Sequence, residues 1–138
     1  NDVSNDFFDD DGTEELVPLP FKPDISIPSI YPILKNNKCP KLSSNREQYI
    51  CSIEKIKNQL KNQLYTPDYI KGDIRFSIDF KIDTLGRIVQ IKVMGSENKL
   101  IKTSAIEILS NLPHFTPPIL NGEKRVMKTS IHVKIKNE

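Results

Sequence analysis

The chain has 138 residues, of which 37% are hydrophobic and 28% charged, a composition that fits one small globular domain and excludes a low-complexity or collagen-like protein. No apolar run approaches the roughly 18 residues needed to cross a bilayer, and no signal peptide is present, so with a start at Asn1 any anchor or export signal is expected outside this chain. The net charge of +2 conceals an asymmetry, because residues 1–15 hold seven acids and no base, which leaves +9 on the rest.

Those acids (Asp2, Asp6, Asp9, Asp10, Asp11, Glu14 and Glu15) make residues 1–15 an expected acidic, disordered tail, with docking or self-masking as the alternative. The basic remainder suits acidic partners such as peptides, anionic lipid surfaces or nucleic acid. Six of the ten prolines (Pro18, Pro20, Pro23, Pro28, Pro32 and Pro40) fall next, and residues 16–40 read as an extended, semi-rigid linker at ~3 Å per residue. The folded domain is expected over 41–138.

It opens on Ser44-Asn45-Arg46-Glu47, which fits a capping box, and Ile50, Ile53, Ile56, Leu60 and Leu64 then mark one stripe of a long helix. From Ile74 to Ile82 every second residue is apolar, the period of a half-buried strand. Asp83-Thr84-Leu85-Gly86 suits a tight connection, after which Val89, Ile91 and Val93 alternate with Arg87, Gln90 and Lys92 as the second strand of a hairpin. Ser96 is the expected N-cap of a second helix with Ile101, Ala105, Ile108, Leu109 and Leu112 on its apolar face, stopped by Pro113. Residues 113–125 read as a loop with a turn at Asn121-Gly122, and Met127, Thr129, Ile131, Val133 and Ile135 form the inner face of a third strand.

A helix between the second and third strands makes those two parallel, and with the first strand between them each neighbouring pair is antiparallel. The expectation is an α+β, two-layer αββαβ domain: a three-stranded antiparallel sheet, order 2-1-3, covered by two helices. The third strand then lies at an edge, with unpaired backbone groups and with Lys128 and Lys134 facing solvent. Such lysines blunt unwanted pairing, yet the same edge is open to strand addition.

No catalytic set is visible. His132 falls on the polar face of its strand and His114 follows Pro113 in a loop, neither with a Ser, Cys or Asp partner arranged as a triad. There is no P-loop, dinucleotide fingerprint or metalloprotease helix, so neither enzyme activity nor a cofactor is expected. Nucleic-acid binding lacks its platform, since the outward residues of the first strand are Arg75, Ser77, Asp79 and Lys81, without aromatic pairs or a G-x-x-G loop.

The stretch from Leu64 to Ile135 carries Tyr65-Thr66-Pro67, Gly72, Ile78-Asp79 within a strand, Asp83 and Gly86 at a turn, Ser96, Ala105, Phe115-Thr116-Pro117, Gly122 and a final alternating strand. In this order the set resembles the C-terminal domain of TonB, over about half the chain. Upstream, Cys39 before a helix that carries Cys51 is similar to the form common in Bacteroidetes. Thr66 is inserted relative to the usual Tyr-Pro, only Asp68-Tyr69-Ile70-Lys71 precedes Gly72, and the linker lacks the Glu-Pro and Lys-Pro repeats of well-known members.

That family couples inner-membrane energy to transport by outer-membrane TonB-dependent receptors. The resemblance implies a periplasmic module that pairs its last strand, in parallel, with the TonB-box peptide near a receptor's N-terminus. Its working surface would be Val126, Met127, Lys128, Thr129, Ser130, Ile131, His132, Val133, Lys134 and Ile135, aided by Tyr65 and Pro67. An inner-membrane motor complex enters as a partner if a transmembrane segment precedes residue 1; without one, the same fold would serve as an untethered adaptor or structural subunit of an envelope complex. In an exported domain, Cys39 and Cys51, the only cysteines, read as a disulfide whose closed loop contributes ~3 kcal/mol in the chain-entropy estimate. The rival, a metal site with His114 and His132, lacks both C-x-x-C and H-x-x-x-H spacing.

Overall fold

A computed structural model describes residues 22–41 and 44–136. The acidic tail and the first part of the expected linker, residues 1–21, lie outside the described residues. Helix α1 (Asn45–Gln63) starts as expected, with the Ser44 hydroxyl accepting from the Glu47 amide and the Glu47 carboxylate accepting from the Ser44 amide. Its buried face is Ser52, Ile56 and Leu60, whereas Ile50, expected on the apolar stripe, stands exposed. Ser52 tolerates burial because its hydroxyl donates to the Gln48 carbonyl at 2.9 Å and accepts from the Leu34 amide at 3.1 Å.

Strand β1 (Ile74–Ile82) is the middle of the sheet and sends Ile74, Phe76, Ile78, Phe80 and Ile82 into the core. Each such side chain contributes about 1.5–3 kcal/mol by leaving water, which fixes the strand's register against slippage. A turn through Gly86 leads to β2 (Ile88–Met94), paired antiparallel with β1. Here the expected alternation breaks: the Asp79–Lys92 and Lys81–Val89 pairs leave Gln90 and Ile91 together opposite Phe80, a bulge with Gln90 at φ 52°. Val89 is therefore paired with Lys81 on the outer face, and Ile88 with Ile82 on the inner one.

Helix α2 (Lys99–Ser110) buries Ile101, Ala105 and Leu109. Its N-cap is Asn98, not Ser96: the Asn98 carboxamide oxygen accepts from the Leu100 and Ile101 amides, while the Ser96 hydroxyl accepts from the Asn98 amide. The loop that follows contains a small hairpin, β3 (Ile119–Leu120) with β4 (Glu123–Lys124), turned by Asn121 and Gly122 at positive φ. Strand β5 (Met127–Ile135) then pairs antiparallel with β1 along its whole length, giving the order β2-β1-β5. Helix α1 lies against β5, α2 against β2, and the helices touch. The α+β architecture with two helices and sheet order 2-1-3 is thus the observed one.

The described part of the proline-rich stretch differs from a free spacer, because from Lys22 onward it is laid along the domain. Pro28, Pro32 and Leu34 are buried. The Ser29 and Ile30 amides donate to the Ile119 carbonyl, the Thr116 amide to Ile33, and Lys35 to His114. Prolines stiffen this segment for extended docking while demanding few backbone partners. Its end is joined to α1 by a Cys39–Cys51 disulfide, with Cα atoms 6.2 Å apart. Reducing that bond is expected to lower stability by ~3 kcal/mol and the thermal midpoint by about 10–20 °C. Thermal unfolding with and without reductant checks this, with the Cys39→Ser/Cys51→Ser double variant as the reductant-insensitive control.

The hairpin turn carries a charge that stability should report. The Asp83 carboxylate accepts from the amides of Leu85 and Arg87 and from the Arg87 Nε, all within 2.9 Å. Partial burial pushes its carboxyl up, but the hydrogen bonds from Arg87 and Leu85 outweigh that and hold it below the usual carboxylate range. A lowered folded-state value means stabilisation present in full above the ordinary carboxylate value and lost as pH falls through the folded one. The gap in urea midpoint between the protein and Asp83→Asn should therefore be constant near neutrality and shrink in acid.

Candidate functional site

The pleat sorts the ten residues of the third-strand surface into two sets. Met127, Thr129, Ile131 and Val133 are buried beneath α1, and the hydroxyl of Thr129 is 3.2 Å from that of Tyr49 on the helix. Burial pushes the Tyr49 phenol up, with the Thr129 hydrogen bond opposing it. Lys128, Ser130, His132 and Lys134 are exposed on the open face of the sheet. There Ser130 donates to Asp79 at 2.6 Å, His132 Nδ1 is 2.9 Å from the Ser77 hydroxyl, and Lys134 is 3.5 Å from the Asp73 carboxylate. Val126 and Ile135 are half-buried at the two ends.

Backbone direction divides the strand the same way. The register places Met127, Thr129, Ile131, Val133 and Ile135 opposite Ile82, Phe80, Ile78, Phe76 and Ile74. The Lys128 amide points outward, donating to the Ile25 carbonyl at 2.8 Å, while the Ile25 amide donates to the Val126 carbonyl at 2.9 Å. Since successive residues of a strand alternate, the N–H and C=O of Ser130, His132 and Lys134 also face out from the edge. Among the described residues no backbone hydrogen bond reaches these three from that side. The edge is therefore covered at its head and open along the remainder.

The two further candidates lie elsewhere. Tyr65, 55% exposed, is tied by its amide to the Ser104 hydroxyl of α2 at 2.9 Å. Pro67 is fully buried and presents no surface. His114 lies in the loop after α2 and His132 on β5, and among the described residues no group of three or more His, Cys, Asp or Glu side chains is gathered as metal ligands. Sequence reasoning missed Ile25, whose single parallel bridge to Met127 leaves no periodic signal in a proline-rich stretch.

Residues 70–136, which hold the whole three-stranded sheet and α2, match the family model of the Gram-negative bacterial TonB protein C-terminal. This stretch belongs to the TonB C-terminal family. None of the curated proteins compared matches the chain. TonB C-terminal domains are non-enzymatic transducer and interaction domains of the cell envelope that engage outer-membrane receptors. Within the family frame, the segment outside the match, residues 22–69, supplies α1, the disulfide and the strip of chain at the head of the β5 edge. Among the described residues no helix is long and apolar enough to cross a membrane.

Proposed function

We propose that this chain is a periplasmic energy-transducing module that takes the TonB-box segment of an outer-membrane receptor as an added strand on β5. The observation that carries this reading is the run of outward backbone groups at Ser130, His132 and Lys134 on a strand whose other side is fully paired. Added-strand binding draws its affinity from backbone hydrogen bonds and its selectivity from alternate side chains. A pull on such a ladder acts on all its hydrogen bonds together, so force delivered to this chain by a membrane-anchored motor would pass to the receptor through β5 and its full-length pairing with β1.

Titrating the isotope-labelled chain with N-terminal peptides of outer-membrane receptors, while following amide chemical shifts, tests the proposal. Saturable shifts concentrated in residues 126–135 are expected. Silence of that stretch across a broad panel would leave the fold to an adaptor role in an envelope complex.

A further inference from the structure

We infer that Lys22–Ser26 is a built-in strand stub that closes the head of the β5 edge, so that a partner strand begins no earlier than opposite Thr129 and has Thr129–Val133 as the first five positions it meets. This rests on the edge-docking reading above and adds to it the register, the starting point and the chemistry of the occupant.

The stub is seated by more than its two backbone hydrogen bonds. The Arg125 guanidinium donates to the Pro23 carbonyl at 2.7 Å, Asp24 pairs with Lys81 at 2.6 Å, and Lys22 pairs with Glu123. The chain cannot follow the edge further. It bends at Ser26–Ile27, Pro28 is buried, and Ser29 and Ile30 are bonded to Ile119 in the hairpin loop. Ile27, 75% exposed, stands at the fork where the stub leaves the strand. The stub also shows that this edge accepts a strand in parallel, with Ile25 opposite Met127.

Continuing the same ladder fixes what comes next. A residue opposite Thr129 would donate to the Lys128 carbonyl and accept from the Ser130 amide; those opposite Ile131 and Val133 would repeat the pattern with Ser130, His132 and Lys134, about six backbone bonds in all. Paired residues share a face, so these three partner side chains fall on the α1 side, beside buried Thr129, Ile131 and Val133, and should be apolar. The two between them, opposite Ser130 and His132, fall on the open face between Lys128 and Lys134, and should be acidic or polar. Two more residues at the partner's N-terminus would collide with Ile25.

The test is a length series measured by calorimetry on the full chain. The first probe is a blocked pentapeptide of valine and glutamate in alternation, valine at both ends; the second carries two further residues at its N-terminus. For the natural chain, equal affinity of the two probes is expected, with the Ile25 and Lys128 amides protected from exchange throughout. In Ile25→Pro, which lacks the N–H that bonds Val126, the longer probe should gain about tenfold over the shorter one. A longer probe that binds the natural chain tighter, with exchange protection lost at Ile25, would overturn the stub while keeping the docking edge. Absence of binding by either probe to either protein overturns both.

Discussion

Replacing Gly86 by alanine is expected to destabilise the domain by about 2–5 kcal/mol, the largest effect of any one-carbon change in the β1–β2 turn. Gly86 has φ +81°, where an L side chain is strained by about 1–2 kcal/mol. The added Cβ would also fall 1.8 Å from the Phe115 carbonyl oxygen, a backbone atom that no rotamer change moves aside. That closeness is structural in origin. The Phe115 amide donates to the Gly86 carbonyl at 2.8 Å, which draws the loop after α2 onto the hairpin and seats the fully buried Phe115 ring in the core. Leu34 in turn bridges Phe115, so the turn, the loop and the docked proline-rich segment share one junction. Urea unfolding should show the loss, and Gly122→Ala supplies the comparison: it sits at φ +84° with open space around its Cβ position, so only the backbone strain remains.

A proline placed on β5 should separate binding from stability according to which way the lost N–H points. In His132→Pro the missing donor faces outward, where Pro is tolerated on an edge strand, and folding stability should fall by only about 1 kcal/mol. Affinity for a bound segment should fall about 10–100-fold, because one partner carbonyl loses its donor and the ring crowds the ladder. His132→Ala removes the imidazole and its Ser77 contact but keeps the amide, and should bind nearly as well as the natural chain. Val133→Pro is the converse: its N–H faces Phe76 across the β1 pairing, and stability should fall by about 3 kcal/mol. Chemical denaturation and peptide titration on the three variants measure both quantities.

What the sequence made legible follows from how much of each element's physics is local. The strands at Ile74–Ile82 and Met127–Ile135 have one buried face each, and alternation alone locates them within a residue. The capping box at Ser44 is a purely local exchange of two hydrogen bonds and was equally readable. The N-cap of α2 was not, because Ser96 and Asn98 are both good caps and the choice between them is made by where Gly95 releases the strand. Ile50, expected on the buried stripe, is exposed, and the helix buries Ser52 instead, a polar residue whose burial depends on the amide that the docked Leu34 offers to its hydroxyl. The bulge at Gln90 was hidden as well, since nothing in Val89-Gln90-Ile91 announces a positive φ, and it reverses the faces of Ile88 and Val89.

The edge itself was legible as the last strand of an order 2-1-3 sheet, but its occupancy was not. Proline-rich composition reads as a spacer, and the contacts that hold residues 22–34 on the domain come from amides, one guanidinium and two ion pairs, each remote in sequence from its partner. The outward lysines fit both a blunted edge and a docking strip, and the choice between those readings rests on whether the alternate amides of β5 ever acquire a partner.

Hydrogen exchange of the β5 amides in the presence of a saturating receptor N-terminal peptide is the most direct measurement of that choice. Strand addition predicts new protection at Ser130, His132 and Lys134, while Thr129, Ile131 and Val133, already turned to β1, change little. Saturable binding that leaves those three outward amides exchanging as in the free chain would contradict β5 as the docking edge.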